Sequence, residues 1–225
     1  MTKIYFVRHC EAQGNTLGIL QGRFDSDISG NSAKQLDLVS LRLRNVPFDA
    51  IYSSPLQRAY KTAQAINQYH HLEIRKDPRL TEIDMGDWEG HSWDDLAKKY
   101  PDIIRVWNED TGHFTAPGGE SVVQVRDRMW AAANAIADAN PGKTVCAVSH
   151  GCAIRSFLCE ALGKPLSEMN TVPWGDNTAV SVVEVENGKA RVLSMNDASH
   201  IPPDLSVYRH SSDPHTAIDV TNVAP

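Results

Sequence analysis

Apolar residues along this chain fall into short strand-like runs separated by stretches with helical period. Ile4-Tyr5-Phe6-Val7 is an aromatic and β-branched run cut off by Arg8-His9, and it predicts a buried strand over residues 3–8. Ser29 stands where it would cap a helix through about Leu43. Residues 48–54 read as a second strand, after which Pro55 opens a helix through Arg58, Thr62 and Ile66. Residues 72–75 make a short extended piece. Two short helices, 93–100 and 103–108, lie around Pro101. Beyond the Pro117-Gly118-Gly119 turn, a long helix spans 120–139, a strand 143–149 and a helix 152–162. Residues 178–186 and 190–194 pair as a hairpin about Asn187-Gly188, a dipeptide suited to a tight turn.

Strand alternating with helix predicts an α/β fold, a three-layer sandwich with a mostly parallel central sheet. The terminal hairpin supplies one antiparallel edge strand. Residues 83–118 break the rhythm; rich in Trp, Asp and Gly, they predict a small helical and loop cap over the carboxyl ends of the strands. A single domain is expected over residues 1–210, with 211–225 a loose polar tail. At 225 residues, 41% hydrophobic and 22% charged, the composition is that of an ordinary globular protein.

A net charge of −6 argues against a nucleic-acid partner. It does not argue against a small anionic substrate, because a local arginine cluster overrides a weak global field. No apolar stretch is long enough for a membrane span, and no leader pattern precedes the first strand, so a cytoplasmic location is expected. The four cysteines, Cys10, Cys146, Cys152 and Cys159, do not pattern as a disulfide framework. The spacing Cys146-x3-His150-x-Cys152 fits no zinc arrangement, and no metal or other cofactor is expected. Oligomeric state is not legible.

Two predicted strands end alike, in Val7-Arg8-His9 and in Val148-Ser149-His150-Gly151. Catalytic groups in α/β sheets sit at such carboxyl ends. Ser53-Ser54-Pro55-Leu56-Gln57-Arg58-Ala59 places Arg58 one turn into a helix beyond a third strand end, and Glu82 follows in Arg79-Leu80-Thr81-Glu82. Taken singly, each has a bland reading as a solvated or structural side chain. Together they supply two imidazoles, two guanidiniums and a carboxyl. These are the groups that metal-free phosphoryl transfer through a phosphohistidine requires.

In this order, and with Leu20-Gln21-Gly22-Arg23-Phe24-Asp25, Pro117-Gly118-Gly119-Glu120-Ser121 and Asn196-Asp197-Ala198-Ser199-His200, the chain resembles the histidine phosphatase superfamily, also called phosphoglycerate mutase-like, from Ile4 to about His200. The resemblance implies that His9 is the phosphorylated nucleophile. Arg8, Arg58 and His150 would hold the phosphoryl group, helped by the Gly151 N–H at a helix start. Asn15 would reach the phosphoryl oxygens, and Gln21 and Gly22 would line the substrate entrance. Glu82 would be general acid and then base.

Position 10 is usually glycine in that family; here it is Cys10, read as a small residue pointing away from the phosphate. Trp88, Trp93 and Trp107 are read as packing within the cap. The segment 83–118 offers Lys98, Lys99 and Arg105 but no adjacent arginine pair, against Asp84, Asp87, Glu89, Asp94, Asp95, Asp102, Glu109 and Asp110. An acidic cap predicts a leaving group that is not strongly anionic. The expected activity is phosphomonoester hydrolysis on a small phosphorylated substrate. The alternative is phosphoglycerate mutase-type transfer, followed by a non-catalytic phosphate-binding protein.

Overall fold

A computed structural model describes residues 1–208; the expected tail, 211–225, lies outside them. Alternation along the first strand decides the layering. In β1 (Thr2–Arg8), Ile4 and Phe6 enter one core and Val7 enters the other. The same happens in β4 (Thr144–Ser149), where Val145 and Ala147 face one way and Cys146 and Val148 the other. One face is covered by α6 (Val122–Ala139) and α7 (Gly151–Ala161), the other by α2 (Ser32–Leu43) and α3 (Gln57–Asn67). Three layers result. Cys146 and Cys152 belong to the opposite cores, which separates them.

The sheet also contains β2 (Ala50–Ser53), β3 (Ile74–Lys76), β5 (Val180–Glu186) and β6 (Lys189–Asp197), in the order β3-β2-β4-β1-β5-β6. β1 to β4 are mutually parallel, and β5 pairs antiparallel with both β1 and β6. The strand that runs against the others is therefore β5, one in from the edge. The hairpin turn after β5 reverses direction once more, so its second arm, β6, forms the edge and runs with the parallel set. Its turn has Asn187 at φ 51° and Gly188 at φ 71°, the left-handed pair that a two-residue hairpin turn needs.

The starts of α2 and of the long helix α6 differ from the sequence reading. Ser29 does not cap α2: its hydroxyl donates to Glu11 Oε1 and accepts the Asn31 N–H, which closes a turn before the helix begins at Ser32. The long helix begins at Val122, where Ser121 Oγ accepts the Gln124 N–H and Gln124 Oε1 accepts the Ser121 N–H. Residues 83–118 contain α4 (Trp93–Lys99) and α5 (Pro101–Glu109), with Pro101 at the first helical position. A short helix, α1 (Gln13–Thr16), follows the β1 loop.

Register places the chemistry. Arg8 pairs with Ser149, and Ser53 with Val148, so β1, β4 and β2 end at one level. His9, His150 and Ser54 stand immediately beyond those ends.

Candidate active site

His9 continues the β1 ladder, its N–H donating to Ser149 O at 3.0 Å. Its ring is held by one bond, between Nδ1 and Cys10 O at 2.6 Å. A carbonyl only accepts, so Nδ1 carries the hydrogen and Nε2 keeps a free lone pair. Burial, then the charges of Arg58 and Arg8, hold this imidazole well below the ordinary histidine range, which keeps it neutral. Asn177 Nδ2 and the Thr178 N–H both donate to His9 O, and Thr178 adopts φ 61°, a left-handed backbone costly for a β-branched residue.

The His150 ring centroid lies 5.0 Å from that of His9. His150 Nε2 meets Ser54 Oγ at 2.8 Å, while its buried Nδ1 has no partner among the described residues. Burial again leads in lowering its pKa, followed by Arg58 and His9. Arg58, 1% exposed, donates from Nη1 to Phe24 O and from Nη2 to Gly22 O, at 3.0 and 2.7 Å. Arg8 donates from Nη1 to Gly175 O. The Nε atoms of both arginines are buried without partners. Three buried nitrogens, on Arg8, Arg58 and His150, are thus without partners among the described residues. Buried polar atoms are rarely left this way.

Glu82 sits at the start of α7. Its Oε2 accepts the Cys152 N–H at 3.1 Å, and its Oε1 accepts the N–H groups of Ala153 and Ile83 at 3.0 and 2.9 Å. A carboxylate is well placed at a helix N-terminus, where backbone N–H groups point outward. Oε2, with one donor, retains an open acceptor position. Arg128 on α6 holds this segment from behind, donating to the carbonyls of Arg79, Thr81 and Glu82 while pairing with Glu120.

A cavity of about 140 Å³ gathers Arg8, His9, Asn15, Gln21, Gly22, Arg58, Glu82 and Gly151, every site residue anticipated from the sequence except His150, which is fully buried behind it. Asn15 Oδ1 accepts the Ala12 N–H, which leaves Nδ2 as its free donor. Gln21 Oε1 accepts the Ser26 hydroxyl, and its chain lies over Gly14, where an added Cβ would come within 2.3 Å of Gln21 Cγ. Cys10 does not line the cavity: it is fully buried, with Sγ 3.9 Å from Arg58 O.

The tryptophans divide. Trp88 is wholly buried against Tyr100 and Phe114, whereas Trp93 and Trp107 form cavity wall together with Trp174. Sequence reasoning missed Trp174, Ser54 and Arg128. Ser54 carried a signal in Ser53-Ser54-Pro55, at a strand end; the other two had none, because only packing gives them their place.

The family model of the histidine phosphatase superfamily (branch 1) matches residues 4–198. Phosphoserine phosphatase 1 of Hydrogenobacter thermophilus is 35% identical over 204 residues, 89% of this chain and 95% of that protein. A probable phosphoglycerate mutase, GpmB of Cronobacter sakazakii, is 34% identical over 73% of this chain and 77% of its own length. The solved structure of Bacillus stearothermophilus YhfR superposes with a TM-score of 0.86 at 30% identity, covering 90% of this chain and all of YhfR (100%). The family and the phosphoserine phosphatase relative support phosphatase activity. With two histidines and two arginines meeting at the strand ends inside the matched span, the chain belongs to the histidine phosphatase superfamily.

Proposed function

We propose that the protein hydrolyses phosphomonoesters through a phosphohistidine on His9. The observation that carries this reading is the set of partnerless buried nitrogens, Arg8 Nε, Arg58 Nε and His150 Nδ1, on residues that share the site with a nucleophilic imidazole. Arg8 and Arg58 line the cavity, so a phosphoryl group held there can offer its equatorial oxygens to their unpaired N–H groups, with His150 behind them. Ser54 Oγ accepts the Leu56 N–H and has its own hydrogen to give to His150 Nε2; in that tautomer Nδ1 carries a hydrogen toward the phosphoryl group. The Gly151 N–H, at the first position of α7, is a further donor.

His9 Nε2 attacks phosphorus, the P–O bond to the leaving group breaks, and Glu82 Oε2 delivers a proton to the departing oxygen. Glu82 then takes a proton from water. The hydroxide attacks phosphorus, the P–N bond breaks, and inorganic phosphate leaves with the proton accounted for. No step draws on a metal.

Phosphoglycerate mutase-type transfer is the second reading, favoured by the GpmB relative. It differs only in returning the phosphoryl group to a substrate hydroxyl instead of water. The deciding experiment is turnover of an aryl phosphate in excess EDTA. Wild type is expected to turn over and His9→Ala to lose about 10³-fold or more. An inert wild type, or an active His9→Ala, overturns the phosphohistidine reading. Isomerisation of 3-phosphoglycerate primed with bisphosphoglycerate, faster than hydrolysis, would install the mutase.

A further inference from the structure

Outside the catalytic cavity lies a larger chamber, of about 1050 Å³, that shares Arg8, Asn15, Trp93, Trp107 and Trp174 with it. A leaving group attached to a phosphoryl held over His9 has this space to enter. The chamber is not acidic, although the segment that roofs it is. Asp84 is taken by Arg23 and the Gly86 N–H, Asp95 by the Ser92 cap, Asp102 by Arg105 and Asp110 by His113. Of the acids between 83 and 118, Glu109 alone lines the chamber. The acid count of the segment is therefore not the charge that a leaving group would meet in the chamber.

What the chamber does hold is Arg155, on α7 one turn beyond the carboxylate of Glu82. Its side chain is 5% exposed. Nε donates to Val172 O at 2.7 Å, and Nη2 to Met169 O at 2.9 Å and Asn170 Oδ1 at 3.3 Å, while Cζ lies 4.4 Å from the Trp174 ring centre. Every acceptor is neutral. Among the described residues no carboxylate lies within ion-pair distance of it, and Nη1 has no hydrogen-bond partner. A guanidinium taken this far out of water without a counter-charge is costly. Tying down the 166–172 turn needs donors, not a net charge. The charge itself is unspent.

We propose that Arg155 is a second anion site, which binds a carboxylate on the leaving group of the phosphomonoester. The inference rests on the phosphohistidine reading above and extends it to a substrate class: small phosphomonoesters that also carry a carboxylate. Nη1 alone is open, so one oxygen is gripped singly instead of by the two-pronged fork. Glu109 shares the chamber, which favours a single negative charge over a dianionic second phosphate. Trp93, Trp107 and Trp174 flank the carbon chain between the two anions.

The test compares substrate pairs that differ at the carboxylate: O-phosphoserine against phosphoethanolamine, and 3-phosphoglycerate against glycerol 3-phosphate. Wild type is expected to prefer the carboxylate member of each pair by about 10-fold or more in kcat/KM, chiefly through KM. Arg155→Gln should collapse that ratio toward one, and Arg155→Lys, which keeps the charge on a different geometry, should restore part of it. A wild type without the preference overturns the proposal, and so does an Arg155→Gln that slows both members equally, which is the mark of a merely structural role. Should Arg155→Gln fail to fold, the wild-type ratio and Arg155→Lys still decide. A preference for a bisphosphate over the carboxylate substrates also overturns it. His9-dependent turnover of the aryl phosphate without any carboxylate preference sinks this inference alone; loss of all turnover sinks the phosphohistidine reading.

Discussion

Cys10 follows the nucleophile directly, yet its thiol lies on the α3 side of the loop, fully buried, with its N–H donated to Thr62 Oγ1 at 3.0 Å. Burial pushes the thiol pKa up, so it is not a reactive thiolate. Its φ is not among the left-handed ones, and glycine has no conformational task there. Cys10→Gly is therefore expected to keep aryl phosphate turnover within about twofold. It should destabilise the fold by about 1–2 kcal/mol through lost burial and added backbone freedom, lowering Tm by roughly 3–6 °C. Alkylation of the native protein at Cys10, or a collapse in turnover, would contradict this placement. His9 also behaves at this scale. Its depressed pKa keeps the attacking imidazole neutral as pH falls through 6.5, so kcat/KM should show no acid limb there from His9.

At the scale of elements, α6 and α7 cooperate on one carboxylate. α7 supplies the N–H groups of Cys152 and Ala153, and α6 supplies Arg128, whose bonds to the carbonyls of Arg79, Thr81 and Glu82 are 2.6–2.9 Å long. Arg128→Met removes the support for the strap that carries Glu82 and leaves Glu120 with one arginine, Arg23. A fall in kcat of about 10- to 100-fold is expected, with KM for the aryl phosphate moved much less. Unpaired carbonyls and carboxylate should also cost about 2 kcal/mol. Arg128→Lys should rescue little, since one ammonium cannot reproduce a planar fork serving several carbonyls. Steady-state kinetics on folded fractions of the two variants, matched by thermal melts, separate the effects. Equal losses in kcat/KM and in folded fraction would reduce Arg128 to a stability residue.

For the molecule as a whole, histidines with depressed pKa values set the pH response, His9 and His150 buried and His200 half-buried. His9 and His150 are held well below the usual range, first by burial, and His200 is brought down to about 4 from 6.5 by burial and by Arg42. Between the folded and unfolded values, the unfolded chain binds protons that the folded chain refuses. Stability is thus complete above 6.5 and is lost as pH falls toward the folded values, by up to about 1.4 kcal/mol per pH unit for each histidine. Urea midpoints should rise from pH 5 to pH 7. A flat or falling profile would mean that these rings charge without penalty.

The strands, most of the helices, the hairpin turn and the order of the chemical groups were legible in the sequence, because each rests on neighbours in the chain: alternation, a proline at a helix start, Asn-Gly at a turn, a cation and an imidazole where an apolar run stops. Ser29 misled because Glu11, 18 residues away, claims its hydroxyl. The acid count of 83–118 does not translate into chamber charge for the same reason: composition does not say which partner each carboxylate finds. Only the tertiary structure decided that Glu82 lands on amides 70 and 71 residues further along, that Arg128 reaches back 46 residues to brace it, and that Arg155 is buried beside Trp174 with no counter-charge among the described residues. A sequence fixes what each segment prefers locally. Which buried charges meet a partner and which are left for a substrate is settled by packing across the sheet ends.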